Sequence, residues 1–161
     1  MLTQERLKEL LDYDPESGLF IWKVRTSTHV KPGDHTSACS SHGYRVIGIN
    51  RRLYFAHRLA WMYVYGEWPV TQINHIDRNR ANNALANLRL ATSAENLQNS
   101  SRRSDNTSGC KGVHWWSLRG VWTAYINVGG KRTSLGHYPD FFAACCARKS
   151  DEIELHPYRA A

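Results

Sequence analysis

The sequence predicts an α+β chain built of two small modules. The first has N-terminal strands, a buried helix and a strand-loop-strand-helix segment. The second is a small three-stranded antiparallel sheet packed on one helix. Three observations carry this prediction. Strand-like runs at 19–22, 44–49 and 53–55 are grouped as hairpins around helical runs and do not alternate with them in βαβ order. Residues 102–108 form a polar stretch without apolar periodicity, which divides residues 1–101 from residues 109–161 as a basic linker. Beyond it, two strand-like runs meet at Gly129-Gly130, a good two-residue hairpin turn.

Along the first module, Thr3 is placed to cap a short helix whose Leu7, Leu10 and Leu11 fall at helical spacing. Asp14-Pro15-Glu16-Ser17-Gly18 ends it as a turn. Strands at 19–22 and 44–49 follow, and residues 53–55 return after Asn50-Arg51-Arg52. Residues 56–65 read as a buried helix stopped by Gly66 and Pro69. A short strand at 73–76, a polar loop at 77–83 and a returning strand at 88–90 come next. Thr92, with Glu95 three residues later, fits a capping box for a helix that carries Asn96.

Chemistry concentrates in this last segment. Ile73-Asn74-His75-Ile76-Asp77, followed by Asn82, Asn83, Asn87 and Asn96, sets one histidine among neutral oxygen donors. Hard divalent cations prefer oxygen ligands, and a lone imidazole with a near-neutral pKa suits the removal of a proton from water. One metal and one base make a minimal phosphodiester hydrolase. Some of these residues have plainer readings. Asn82 and Asn83 read as turn chemistry, Asp77 as a group that orders the loop, and His57, on an apolar helix, as a packed or supporting group and not a ligand.

Composition and charge limit the partners. With 42% hydrophobic and 11% aromatic residues among 161, the chain is folded and not disordered. It has no apolar run of about 18 residues and no signal-like N-terminus, so the reading is a soluble protein that stays inside the cell and meets no membrane. Cys39, Cys110, Cys145 and Cys146 form no C-x-x-C pair and read as reduced, mostly buried thiols. Lys and Arg number 21 against 14 Asp and Glu, for a net +7. Arg102, Arg103, Lys111, Arg119, Lys131 and Arg132 are interleaved with Trp115, Trp116, Trp122 and Tyr125. Basic groups mixed with planar ones are the footprint of nucleic-acid binding, although charge alone fits a solvated basic face equally well.

Asn74-His75-Ile76-Asp77, Asn82-Asn83, Asn87-Leu88 and Glu95-Asn96 resemble the ββα-metal motif of HNH nucleases. Ala56-His57-Arg58-Leu59-Ala60-Trp61 and the stretch from Tyr13 to Phe20 resemble the phage and intron-encoded homing branch of that family. The likeness covers roughly residues 5–100. It implies a metal-dependent, site-specific endonuclease acting on double-stranded DNA in the cytoplasm of a bacterial host, encoded by a phage or prophage. By the same resemblance His75 is the general base, Asn74 and Asn96 hold one divalent ion, Mg²⁺ or Mn²⁺, and Asn87 braces the loop behind the histidine. Position 74 often carries aspartate in that family, and an amide there implies weaker metal binding. An alternative stays open: a non-catalytic DNA-binding protein or regulator with a decayed HNH segment.

In the second module, strands are expected at 112–115, 121–128 and 131–136, and Asp140 caps a helix rich in small residues. Alternation sets Trp122, Ala124, Ile126 and Val128 toward the helix. The other set, Val121, Thr123, Tyr125 and Asn127, joined by Arg119, Lys131 and Thr133, forms a polar, basic face. Lys111-Gly112-Val113, residues 120–126 and Leu135-Gly136-His137-Tyr138 resemble the Apetala and ethylene-response-factor DNA-binding domain. That likeness implies major-groove contact through the sheet, with Arg102, Arg103, Lys111, His114, Arg119, Tyr125, Asn127, Lys131 and Arg132 as the DNA-contacting groups. The linker either tracks a phosphate backbone or acts as a passive tether.

Overall fold

The computed structural model describes residues 2–100, 102 and 104–156, so Arg103 lies outside the described residues. The chain is of the α+β class, with short antiparallel sheets and helices, and it divides into two compact units, residues 1–92 and 93–161.

In the first unit, α1 (Gln4–Leu10) leads into the hairpin of β1 (Leu11–Asp14) and β2 (Leu19–Trp22). A second hairpin joins β3 (Val46–Ile49) to β4 (Arg52–Phe55), α2 (Ala56–Tyr65) follows, and a third hairpin joins β5 (Gln72–His75) to β6 (Leu88–Ala91). Two-stranded hairpins are marginal alone. Here they share one core of Leu7, Leu11, Phe20, Ile47, Ile49 and α2's Leu59 and Met62, all shielded from water. Leu11, expected in the helix, opens β1 opposite Trp22. It is fully buried; strand pairing and core packing together override the helical spacing.

Local chemistry shapes the turns. Asn50 and Arg51 both have positive φ, 51° and 61°, the combination that lets a two-residue turn follow the twist of β3 and β4. Gly66, in the left-handed region, ends α2 by donating its N–H to the Met62 carbonyl at 3.0 Å. The β1–β2 turn also grips the loop that precedes β6. Leu85 N–H donates to the Pro15 carbonyl at 2.8 Å, and the Tyr13 hydroxyl donates to the Asn83 carbonyl at 2.7 Å. Gly18, at φ +72°, sits so close that a Cβ there would lie 2.2 Å from Ala84 N.

The second unit begins with α3 (Ser93–Gln98) and continues with β7 (Val113–Trp116), β8 (Val121–Val128), β9 (Lys131–Tyr138) and α4 (Phe141–Leu155). The Lys111 ammonium links the end of α3 to the residues that follow it. It donates to the carbonyls of Leu97 and Ser100 and to the Ser100 hydroxyl at 2.9–3.3 Å. Part of the expected linker is ordered: the Ser108 hydroxyl donates to the Val113 carbonyl at 2.6 Å, and Asn106 accepts from Gly109 N–H at 2.9 Å. As expected, Ala124 and Ile126 are buried beneath α4, whose Asp140 cap accepts from Ala143 N–H. The cysteine expectation needs correcting. All four are free, but Cys39 and Cys146 are exposed because one lies in an irregular segment and the other on the outer side of α4.

Gly18→Ala forces a side chain into the backbone of residues 83 and 84 and imposes a strained φ. The expected outcome is a loss of roughly 2 kcal/mol or more in unfolding free energy. Urea denaturation of the full chain checks it, and an unchanged midpoint would show that the turn and the loop do not dock.

Candidate active site around His75

The site is built on the β5–β6 hairpin, where His75 stands opposite Leu88 and Asn74 opposite Arg89. Between the strands runs a loop held largely by asparagine. Asn87 is its hub. Its carbonyl accepts from Ile76 N–H at 2.9 Å, and its Oδ1 accepts from Asp77 N–H at 2.9 Å. Its Nδ2 donates at 2.9 Å to Asp77 Oδ1 and to the Asn82 carbonyl. Asp77 also accepts from Asn79 N–H and Asn82 Nδ2. Burial alone would raise the Asp77 pKa, but the hydrogen bonds from Asn82, Asn79 and Asn87 and the nearby His75 bring it below the usual carboxylate range. Asp77 therefore stays ionised and serves loop geometry. Asn79 and Asn82 accept from Ala81 N–H and Ala84 N–H as side-chain turns, the plain role expected of Asn82.

Asn83 departs from that role. It is 2% exposed, and its Oδ1 lies 3.3 Å from His75 Nε2. The His75 ring is itself buried and meets His57 edge-on at 5.1 Å between centroids, with Tyr44 at 6.0 Å. Burial pushes the His75 pKa down against the smaller raising effects of Asn83 and Asp77, so the ring is neutral near pH 7 and able to accept a proton. His57 packs between Phe55 and Tyr44, and its Nδ1 is buried without a hydrogen-bond partner. Desolvation, then the proximity of His75 and Arg58, pushes its pKa down to about 3.

Of the two residues expected to hold a metal, Asn74 is buried on β5, and its Oδ1 accepts from Arg89 Nε at 3.1 Å. Asn96 lies half-buried on α3, in the second unit. Amide oxygens carry the donor chemistry a hard divalent ion takes. Each amide taken by itself has the oxygen chemistry of a hard-ion ligand, and at Asn74 the Arg89 guanidinium competes for that oxygen. The residues whose part was missed in the sequence are Asn83, Arg89 and Tyr44. Arg89 follows once the hairpin register is drawn, whereas Asn83 and Tyr44 depend on how loops pack.

The other expected contacts lie on the second unit's sheet. Register places His114, Thr123 and His137 on one row, with Asn127 opposite Arg132. Arg132 lies over the Tyr125 ring at 4.0 Å and Arg119 over Trp116 at 4.4 Å. Lys131 and Thr133 correct the expected face. They pair with Val128 and Ile126 on the opposite parity, because a two-residue turn matches residue 127 to residue 132. A bulge after Ala124 then restores odd-to-odd pairing at Thr123 and His137. Arg102 is exposed, and Lys111 is engaged by α3 as described.

Residues 54–98 match the family model described as HNH endonuclease, a span that runs from β4 through α3 and holds His57, Asn74, His75, Asn83, Asn87 and Asn96. Protein 3.8 of Escherichia phage T7 is 45% identical over 60 residues, which cover 37% of this chain and 50% of that protein. The chain thus spans half the length of this relative. No solved structure matches the chain. Among the described residues, no helix is long and apolar enough to cross a membrane.

Because His57 takes up a proton near pH 6.5 when unfolded but only near pH 3 when folded, its contribution to stability is complete above about pH 6.5 and is lost as pH falls toward 3. The loss runs at up to about 1.4 kcal/mol per pH unit. His57→Phe keeps the ring packing and removes this dependence. Urea titrations at pH 7 and pH 4.5 should show a smaller acid loss in the variant than in the parent chain, and equal losses would mean that His57 is protonated freely in the folded state.

Proposed function

We propose that the protein is a metal-dependent, site-specific endonuclease of the HNH homing type that hydrolyses a phosphodiester bond in double-stranded DNA. The observation that carries this reading is a neutral, buried His75 whose ring is hydrogen-bonded to Asn83, inside the segment that matches the HNH model. His75 takes a proton from the attacking water, and Asn87 keeps the loop behind it in shape. Asn74 and Asn96 are the amide oxygens that would hold one Mg²⁺ or Mn²⁺; their pairing rests on the family resemblance and their donor chemistry. When bound, such an ion supplies positive charge to the phosphate and the leaving oxygen. The phage T7 relative supports a phage- or prophage-encoded protein acting in the cytoplasm of a bacterial host.

The second unit fits a DNA reader of the Apetala and ethylene-response-factor kind. Its support is a sheet face with exposed His114, Asn127 and Arg132 around a half-buried Tyr125, and Arg119 stacked on Trp116. One observation favours a second reading, a DNA-binding protein without nuclease activity: the Asn74 oxygen already accepts from a cation, Arg89.

Nicking of supercoiled plasmid in Mg²⁺, Mn²⁺ or EDTA separates the two readings. The full chain should cut with either metal and not in EDTA, and His75→Ala should lower the rate by about 10²-fold or more with DNA affinity nearly unchanged. A parent chain that binds DNA and never nicks it would leave the second reading standing. For the sheet, Arg132→Ala in the full chain should weaken DNA binding by roughly 1 to 3 kcal/mol and alter the preferred sequence, if the guanidinium meets a base edge. Selection of bound oligonucleotides checks this, and a uniform loss across sequences would assign Arg132 to phosphate.

A further inference from the structure

We propose that the second unit holds one unstacked nucleobase in a cavity between residues 105–108 and the face of the β7–β8–β9 sheet turned away from α4. That the base comes from DNA rests on the reading of this unit as a DNA reader.

The cavity has a volume of about 280 Å³, with Thr107 on its loop side and His114, Tyr125 and Arg132 on its sheet side. This is close to the lower end of the roughly 300–1,000 Å³ that small-molecule pockets span, a space for a ring system more than for a lone ion. Its loop wall is already in place. Asn106 accepts from Gly109 N–H at 2.9 Å and donates to the Cys110 carbonyl at 3.1 Å, and the Ser108 hydroxyl donates to the Val113 carbonyl at 2.6 Å. A ligand entering here has little loop to order.

The sheet side supplies a platform. The Arg132 guanidinium lies over the Tyr125 ring at 4.0 Å, and His114 meets the same ring edge-on at 5.8 Å between centroids. Tyr125 is half-buried and Arg132 exposed, so the guanidinium plane is braced on its inner face and open on its outer one. Unpaired bases stack on such planes as they do on aromatic rings. The Thr107 hydroxyl and the His114 ring have donors and acceptors that match the polar edge of a base. A phosphate fits this wall less well. It gains nothing from a flat stacked plane, and the Asp105 carboxylate, also in the lining, adds negative charge where the phosphate would sit.

Binding of the full chain to three versions of one duplex, measured in EDTA so that no metal-dependent cut intervenes, tests the site. One version is fully paired, one carries a single unpaired 2-aminopurine, and one carries an unpaired abasic residue that gives the same flexibility without a ring. The 2-aminopurine duplex should bind about tenfold more tightly than the other two, and its emission should fall on binding as the ring stacks. Equal affinity for the base and abasic bulges overturns the proposal. Arg132→Lys keeps the charge and loses the plane, so it should abolish the preference while affinity for the paired duplex stays within about twofold. A preference that survives Arg132→Lys overturns stacking on this residue. Excess deoxyadenosine monophosphate distinguishes the source of the base: failure to compete assigns the site to a base within a strand, and competition extends it to free nucleotides. If the chain binds none of the duplexes, the DNA-reader reading falls, and NMR shifts of His114 and Tyr125 on addition of the same nucleotide decide the cavity alone. Shifts there support a nucleobase site, and their absence overturns it.

Discussion

The hydrogen bonds that Asn87 makes with Asp77 govern the site. Between β5 and β6 the chain must leave a strand, place a buried imidazole and return in register, with its backbone polar groups satisfied on the way. Asn87 meets this demand from one position: its carbonyl and side chain together serve Ile76, Asp77 and Asn82. Asp77, held as a carboxylate, collects the N–H of Asn79 and the amide of Asn82. Without this frame neither Asn83 nor the docking of the loop on the β1–β2 turn would have a fixed place.

The electrostatics then follow from burial and not from ion pairing. His75 and His57 are both shifted toward the neutral form, first by desolvation, and each lies among aromatic rings. A cationic neighbourhood of Arg80 and Arg58 adds to this, and Arg80 also stacks over Tyr44 at 4.9 Å. Two adjacent imidazoles would repel one another if both were charged. With its pKa pushed down to about 3, His57 is neutral near pH 7 and places no positive charge beside His75.

Much of this was legible in the sequence, and the exceptions have physical reasons. Residues 56–65 combine apolar spacing with a following Gly, so α2 appears with the bounds expected. The Gly129-Gly130 hairpin and the Asp140 cap are equally local signals and appear where expected. Leu11 suits a helix or a strand, and only its pairing with Trp22 decides. The face of Lys131 depends on a turn length and a bulge, neither of which alternation along one strand contains. Asn83 sits in a run of asparagines whose neighbours do the turn chemistry their type suggests. Its different part comes from the Tyr13 and Gly18 contacts, which join positions far apart in the chain. Lys111 shows the same effect, since its ammonium ties the end of α3 to residues well along the chain.

Register also governs position 74. Its register partner is Arg89, so any side chain at 74 must live beside a guanidinium. An aspartate there would form a partly buried ion pair with Arg89, and any cation at that carboxylate would have to break or share it. An amide makes a weaker bond to the arginine than a carboxylate would. It gives up charge attraction for the metal but lowers the competition at the same oxygen. The neutral residue at this position thus follows from the register of β5 on β6, which sets it against a guanidinium and not in open solvent.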